Sequence, residues 1–230
     1  MMRKVFVVVG SSSGIGKEII RNLSSNPSYE VYALSRNVSD ISNELSAHEN
    51  IHFWPFDLTK NVKEQLEKSP LHGLTIDYLI NNAGILIKKS FENLQEDDFL
   101  TSFRTNSLGV MQTVQALLKQ FNKNGTHIVN ISTMGAFQGS AKFPELIAYG
   151  TTKAAICNFT ELFAAEFSES SLKMNCLCLG AVNTPMLQSA FPGYEAQISA
   201  EKMAEYIINF TVHSGQFING KIIPVSISTP

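Results

Sequence analysis

Neither sign of charge dominates this chain. Eighteen lysines and arginines face twenty aspartates and glutamates, for a formal net charge of -2. That balance excludes a nucleic-acid binder held mainly by phosphate contacts. Cysteine is scarce: there are three, and neither they nor the five histidines form a pair with zinc-site spacing. No metal is expected, and an odd cysteine count without a signal peptide points to a reducing cytoplasm. Long hydrophobic runs are missing too. The opening MMRKVFVVVG sets Arg3 and Lys4 before an apolar stretch, but that stretch covers only 5–9 and stops at Gly10. It is too short for the apolar region of a signal peptide or for a bilayer span, so no membrane partner is expected. Hydrophobic residues make up 44% and charged residues 17%, enough for a buried core and unlike a disordered chain. With no repeat, linker or low-complexity tract, one domain over 1–230 is the expectation.

Residues 5–9 form a continuous apolar run rich in β-branched valine, as in a strand buried on both faces of a parallel sheet. Further strands are read at 29–34, 51–56, 78–80, 127–131, 174–179 and 221–225. Helical spacing covers 15–23, 96–121, 148–167 and 200–210, with Ser199 as the N-cap of the last. In the longest, Phe99, Phe103, Val110, Val114, Leu117 and Phe121 recur at helical intervals. Strands alternating with helices predict an α/β fold of βαβ crossovers, with a mostly parallel sheet of about seven strands covered on both faces.

After the first strand comes Gly10-Ser11-Ser12-Ser13-Gly14-Ile15-Gly16, then a helix. Strand, glycine loop and helix together place a pyrophosphate on a helix N-terminus. A flexible turn is the alternative. The spacing is GxxxGxG, and Asn81-Asn82-Ala83-Gly84 follows the fourth strand. Asn106 lies in the long helix, Ser132 ends the fifth strand, and Tyr149-Gly150-Thr151-Thr152-Lys153 reads YxxxK. With these motifs in this order, nearly the whole chain resembles the short-chain dehydrogenase/reductase family. Two positions depart from the family pattern: Val9 stands where a threonine hydroxyl is usual, and Leu179-Gly180 replaces Pro-Gly.

The resemblance implies a single Rossmann-like, doubly wound domain that binds a nicotinamide dinucleotide. Gly10, Ser12, Ser13, Gly14, Ile15 and Gly16 would cradle the phosphates. Asp57 and Leu58 would meet the adenine, with a cap on a helix beginning near Thr59 as the alternative for Asp57. Asn82, Ala83 and Gly84, with Gly180, Val182 and Thr184, would line the rest of the cofactor. NADP(H) is expected over NAD, because the second strand ends Leu34-Ser35-Arg36-Asn37, with no acid before Asp40. A carboxylate there would repel a 2′-phosphate, whereas the Arg36 guanidinium would pair with it.

For catalysis the resemblance assigns Tyr149 as general acid/base and Ser132 as the hydroxyl holding the substrate oxygen. Lys153 would lower the tyrosine pKa and touch the nicotinamide ribose, and Asn106 would hold a relay water. Tyr149 and Lys153 also share a helix face, and a lysine ammonium beside a phenol favours its ionised form. Taken singly, each of these residues has an ordinary structural reading. The segments holding Met134, Phe137, Phe143 and Pro144, and Met186, Leu187, Phe191, Pro192 and Tyr194, would form a pocket for a small apolar carbonyl or alcohol. Cys157, Cys176 and Cys178 read as small core residues. An oxidoreductase is expected, with an NAD-linked enzyme or an idle NADPH-binding module as alternatives. Helices 96–121 and 148–167 are expected to pair across a two-fold axis in a homodimer or homotetramer.

Overall fold

A computed structural model describes residues 3–227; the remaining residues of the domain expected over 1–230 lie outside the described residues. In chain order the first half has β1 (Lys4–Val9), α1 (Gly14–Ser24), β2 (Tyr29–Ser35), α2 (Ser39–Glu44), β3 (Ile51–Pro55), α3 (Val62–Glu67) and β4 (Tyr78–Asn81). There follow α4 (Glu96–Phe103), α5 (Gly109–Leu117), β5 (Thr126–Thr133), α6 (Ile147–Glu166) and β6 (Leu172–Leu179). The chain ends with β7 (Val182–Asn183), α7 (Pro185–Ala190), β8 (Ile198–Ser199), α8 (Ala200–His213) and β9 (Ile222–Val225).

Seven strands form one parallel sheet in the order β3-β2-β1-β4-β5-β6-β9. Alternation along β1 explains its unbroken apolar run. Val7 and Val9 face the core beneath α3, α5 and α6, while Phe6 and Val8 face the one beneath α1 and α8. A strand covered on both sides has no polar face to show. The order reverses direction between β1 and β4, which opens a crevice at their C-terminal ends.

The helix expected over 96–121 is not continuous. One wide π-turn, Arg104–Leu108, separates α4 from α5, and a 3-10 turn, Leu118–Gln120, ends the run. Its apolar spacing hid the extra residue. Inside the π-turn the Asn106 side chain accepts from Ile85 N (2.8 Å) and donates to Ile85 O (3.0 Å). Just beyond it, a Cβ on Gly109 would lie 2.6 Å from Leu58. These two close fits hold the break in place, and such turns concentrate at functional sites. The short helices α2, α3 and α7 and the β7–β8 pair have too little periodicity to be read from sequence. Ser199 does cap α8, accepting from Lys202 N.

Candidate active site

A cleft of about 950 Å³ lies along the C-terminal ends of β1, β4, β5 and β6. One end is built by the glycine loop. Gly10 takes a left-handed φ of +87° and packs so closely that a Cβ would lie 2.5 Å from the Ala83 backbone. At Gly16 a Cβ would sit 1.9 Å from the Gly10 carbonyl oxygen, so the helix can lie on the loop only without a side chain there. Ser13 is the N-cap of α1, yet its side chain makes no capping bond. The first-turn N–H groups are left facing the cleft end beside Ser12, Gly14 and Ile15, the arrangement that receives phosphate.

The Val9 departure has a structural answer. Val9 O accepts from Asn82 N (3.0 Å) and Ala83 N (2.8 Å), and Asn82 Nδ2 donates to Gly10 O (2.7 Å). Backbone bonds tie the Asn81–Gly84 segment to β1 without a threonine hydroxyl. Gly180 donates its N–H to Val225 O (2.9 Å), and a Cβ there would strike Ser226. Thr184 spends its hydroxyl as the N-cap of α7, while Val182 is buried at the cleft wall.

Arg36 is exposed at the same end of the cleft, with Asp57 and Leu58 opposite. Asp57 does not cap a helix; α3 starts later, capped by Asn61. Its Oδ1 accepts from Thr59 N (2.9 Å) and Thr59 Oγ1 (2.7 Å). Burial opposes its ionisation, but those two bonds and the charges of Lys60 and Arg36 outweigh burial and hold the carboxyl below its usual range.

At the other end α6 presents Tyr149 and Lys153 one turn apart. Lys153 is buried, donates to Ile131 O (2.9 Å) and lies 3.5 Å from Ala83 O. Burial pulls its ammonium down to about 8. Burial likewise pushes the Tyr149 phenol up to about 12, against a hydrogen bond with the Thr133 side chain. The depression of Tyr149 expected from Lys153 is therefore not what these residues produce by themselves. A phenol at about 12 is protonated throughout the neutral range, the form a proton donor needs.

Two expected roles change with this geometry. Ser132 lines the cleft, but its hydroxyl is engaged with the chain itself: its Oγ donates to Lys153 O (2.9 Å) and accepts from Cys157 Sγ (3.5 Å). Thr133, the next residue on β5, lines the cleft and meets the phenol. Asn106 is fully buried, and its amide is committed to Ile85 and to Thr152 Oγ1 (3.1 Å). It holds the segment after Gly84, whose position a Cβ would fill 3.1 Å from Lys153 Nζ. Of the expected pocket residues, Met134, Phe143, Met186, Leu187, Phe191 and Tyr194 line the cleft. Phe137 packs on the core instead, and Pro144 and Pro192 are exposed outside the lining.

If Thr133 holds the reacting oxygen, Thr133→Val should lower turnover by roughly 10²-fold, as when one oxyanion donor is lost. Thr133→Ser should restore most of it, while Ser132→Ala should have the smaller effect. Steady-state rates of the three variants decide between the two hydroxyls.

A doubly wound sheet whose crevice joins a glycine-loop phosphate cradle to a Tyr–Lys pair defines a dinucleotide-dependent oxidoreductase. The chain belongs to the short-chain dehydrogenase family, whose sequence pattern matches residues 4–195. An uncharacterised oxidoreductase of Staphylococcus epidermidis is 26% identical over 209 residues, covering 89% of each chain. A 3-oxoacyl-(acyl-carrier-protein) reductase of Rattus norvegicus is 27% identical over 188 residues, 80% of this chain and 78% of that one. The solved structure of ElxO with NADP bound superposes with a TM-score of 0.82 at 27% identity, covering 97% of both chains. Among the described residues no helix is long and apolar enough to cross a membrane.

Proposed function

We propose that the protein is an NADP(H)-dependent carbonyl reductase or alcohol dehydrogenase acting on a small, largely apolar substrate. The observation that carries the reading is a single cleft with a phosphate cradle and Arg36 at one end and Tyr149, Thr133 and Lys153 at the other. NADPH, when bound, supplies the hydride. In the reductive direction Tyr149 gives its proton to the substrate oxygen, and Thr133 holds that oxygen by a hydrogen bond. Lys153 places a positive charge beside the phenol, favouring the phenolate that remains. Asn106 is a positioning residue that fixes the wall opposite Lys153. The apolar lining contributed by Met134, Phe143, Phe191 and Tyr194 suits an uncharged ketone, aldehyde or diketone.

The test is NADPH consumption, followed by its absorbance, with a panel of aromatic diketones, quinones and aldehydes. Turnover of at least one supports the enzyme; NADPH binding with no turnover of any would favour an idle binding module. Arg36→Ala should weaken NADPH by about 10- to 100-fold, the ~1.5–3 kcal/mol of a charge-assisted contact, and change NADH little. Equal wild-type affinity for the two cofactors would remove the role given to Arg36.

We also propose a homodimer or homotetramer built on α4 and α6, which expose Phe99, Leu100, Phe103 and Leu162. Light scattering should give at least twice the chain mass at micromolar concentration. A single-chain mass at every concentration would exclude it.

A further inference from the structure

The three cysteines of this chain, 19 and then two positions apart in sequence, converge in the fold. Cys176 and Cys178 alternate along β6, so both sulfurs face the side covered by α6. Cys157 lies on α6 one turn beyond Lys153. Its Sγ is 3.6 Å from Cys178 Sγ and 4.0 Å from Cys176 Sγ, and all three sulfurs lie within 4.8 Å of one another. All three residues are buried.

A fourth donor completes the group. Ser132 pairs in register with Cys178 across β5 and β6, which puts both on the same sheet face. Its hydrogen goes to Lys153 O, and its oxygen is turned toward Cys157 Sγ at 3.5 Å and also bonds Cys178.

A d10 cation bound at about 2.3 Å from each sulfur holds its thiolates roughly 3.8–4.0 Å apart. The two separations from Cys157, 3.6 and 4.0 Å, already match that spacing, and the Cys176–Cys178 pair lies within 4.8 Å. We propose that Cys157, Cys176 and Cys178, with Ser132 Oγ as the neutral fourth donor, form a thiolate site for a zinc-class divalent cation directly behind Lys153. Charge selects the divalent ion. Three thiolates and a divalent cation carry one net negative charge, and the Lys153 ammonium lies within electrostatic reach of all three sulfurs to balance it. A monovalent cation would leave a buried negative charge uncompensated. On binding, three S–H bonds break, three S–metal bonds form, and three protons leave to solvent, with no change in oxidation state. The expectation of no metal came from linear spacing, which does not register a contact made between a helix and a strand. The proposal stands apart from the reductase reading, since its measurements involve no substrate.

The experiment uses the whole reduced chain, stripped of metal and titrated anaerobically with Co²⁺ and Zn²⁺. Expected are one equivalent bound, a thiolate-to-cobalt charge-transfer band with a tetrahedral visible spectrum, and release of three protons. Cys176→Ala and Cys178→Ala should each lose more than the ~10–100-fold in affinity that follows removal of a mere outer-shell partner. Should either variant fail to fold, Cys178→Ser keeps the core filled, and a wild-type spectrum free of thiolate bands already overturns the site. Substoichiometric binding, affinity unchanged in the cysteine variants, or uptake of cuprous ion but no divalent cation would each overturn it as well.

Discussion

Replacing Tyr149 with phenylalanine should leave NADPH affinity nearly unchanged and lower turnover by about 10²–10⁴, the loss expected when a general acid is removed. The ring stays in place on α6, since only the hydroxyl and its bond to Thr133 are lost. Measuring NADPH affinity in the same variant separates lost chemistry from lost folding. A rate close to wild type on a proven substrate would defeat the mechanism while leaving the fold untouched. The pH dependence of stability should change too. In the wild type the phenol titrates near 12 in the folded chain, above its ordinary 10. A raised value means the protonated form is favoured on folding, so this contribution is complete below pH 10 and is lost as pH rises from 10 to 12. The phenylalanine variant should lack that step.

Lys153→Met should have the other large effect, and in two opposite directions. Turnover and cofactor affinity should both fall, because the ammonium is proposed to act on the phenol and on the cofactor ribose. Stability at neutral pH should rise. Burial holds Lys153 at about 8 instead of 10.5, so the folded chain carries a charge it disfavours. That cost is complete below pH 8, fades as pH rises to 10.5, and amounts to at most about 3 kcal/mol. The lost bonds to Ile131 O and Ala83 O offset part of the gain. Thermal unfolding of both proteins at pH 7 and pH 10 checks it: the difference should shrink at the higher pH. A variant less stable than wild type at pH 7 would show that the two bonds outweigh the buried charge. Such a group, costly to the fold and central to the site, is what a trade-off between stability and activity predicts.

The order of strands and helices was legible because each long element carries its own period. Residues 5–9 are apolar without interruption, since their strand is covered on both faces, and 148–167 repeats at helical intervals. Helices of six residues, such as α2, and the two-residue strands β7 and β8 give no period to detect. The break at Arg104–Leu108 was invisible for a related reason: one extra residue in a turn shifts the pattern less than the scatter of apolar side chains around it. In the site, Gly10, Gly16, Tyr149 and Lys153 were readable because spacing along one loop or one helix face is itself geometry.

Ser132 and Thr133 mark the limit of that reading. Neighbours on a strand point to opposite faces, and a shift of one position exchanges them. The residue types serve either role, so only the packing of β5 against β6 and α6 shows that Ser132 faces the cysteines and Thr133 the phenol. The pKa values are of the same kind, because burial dominates them and depends on residues distant in sequence. The sequence alone therefore determined the family and the alternation of strands and helices, both properties of local spacing, and it singled out Gly10, Tyr149 and Lys153, which the fold gathers along one cleft. Tertiary structure alone decided which hydroxyl meets Tyr149, how deeply Lys153 is buried and that three separated thiols touch. Each of these depends on contacts between elements far apart in the chain, and no local period encodes them.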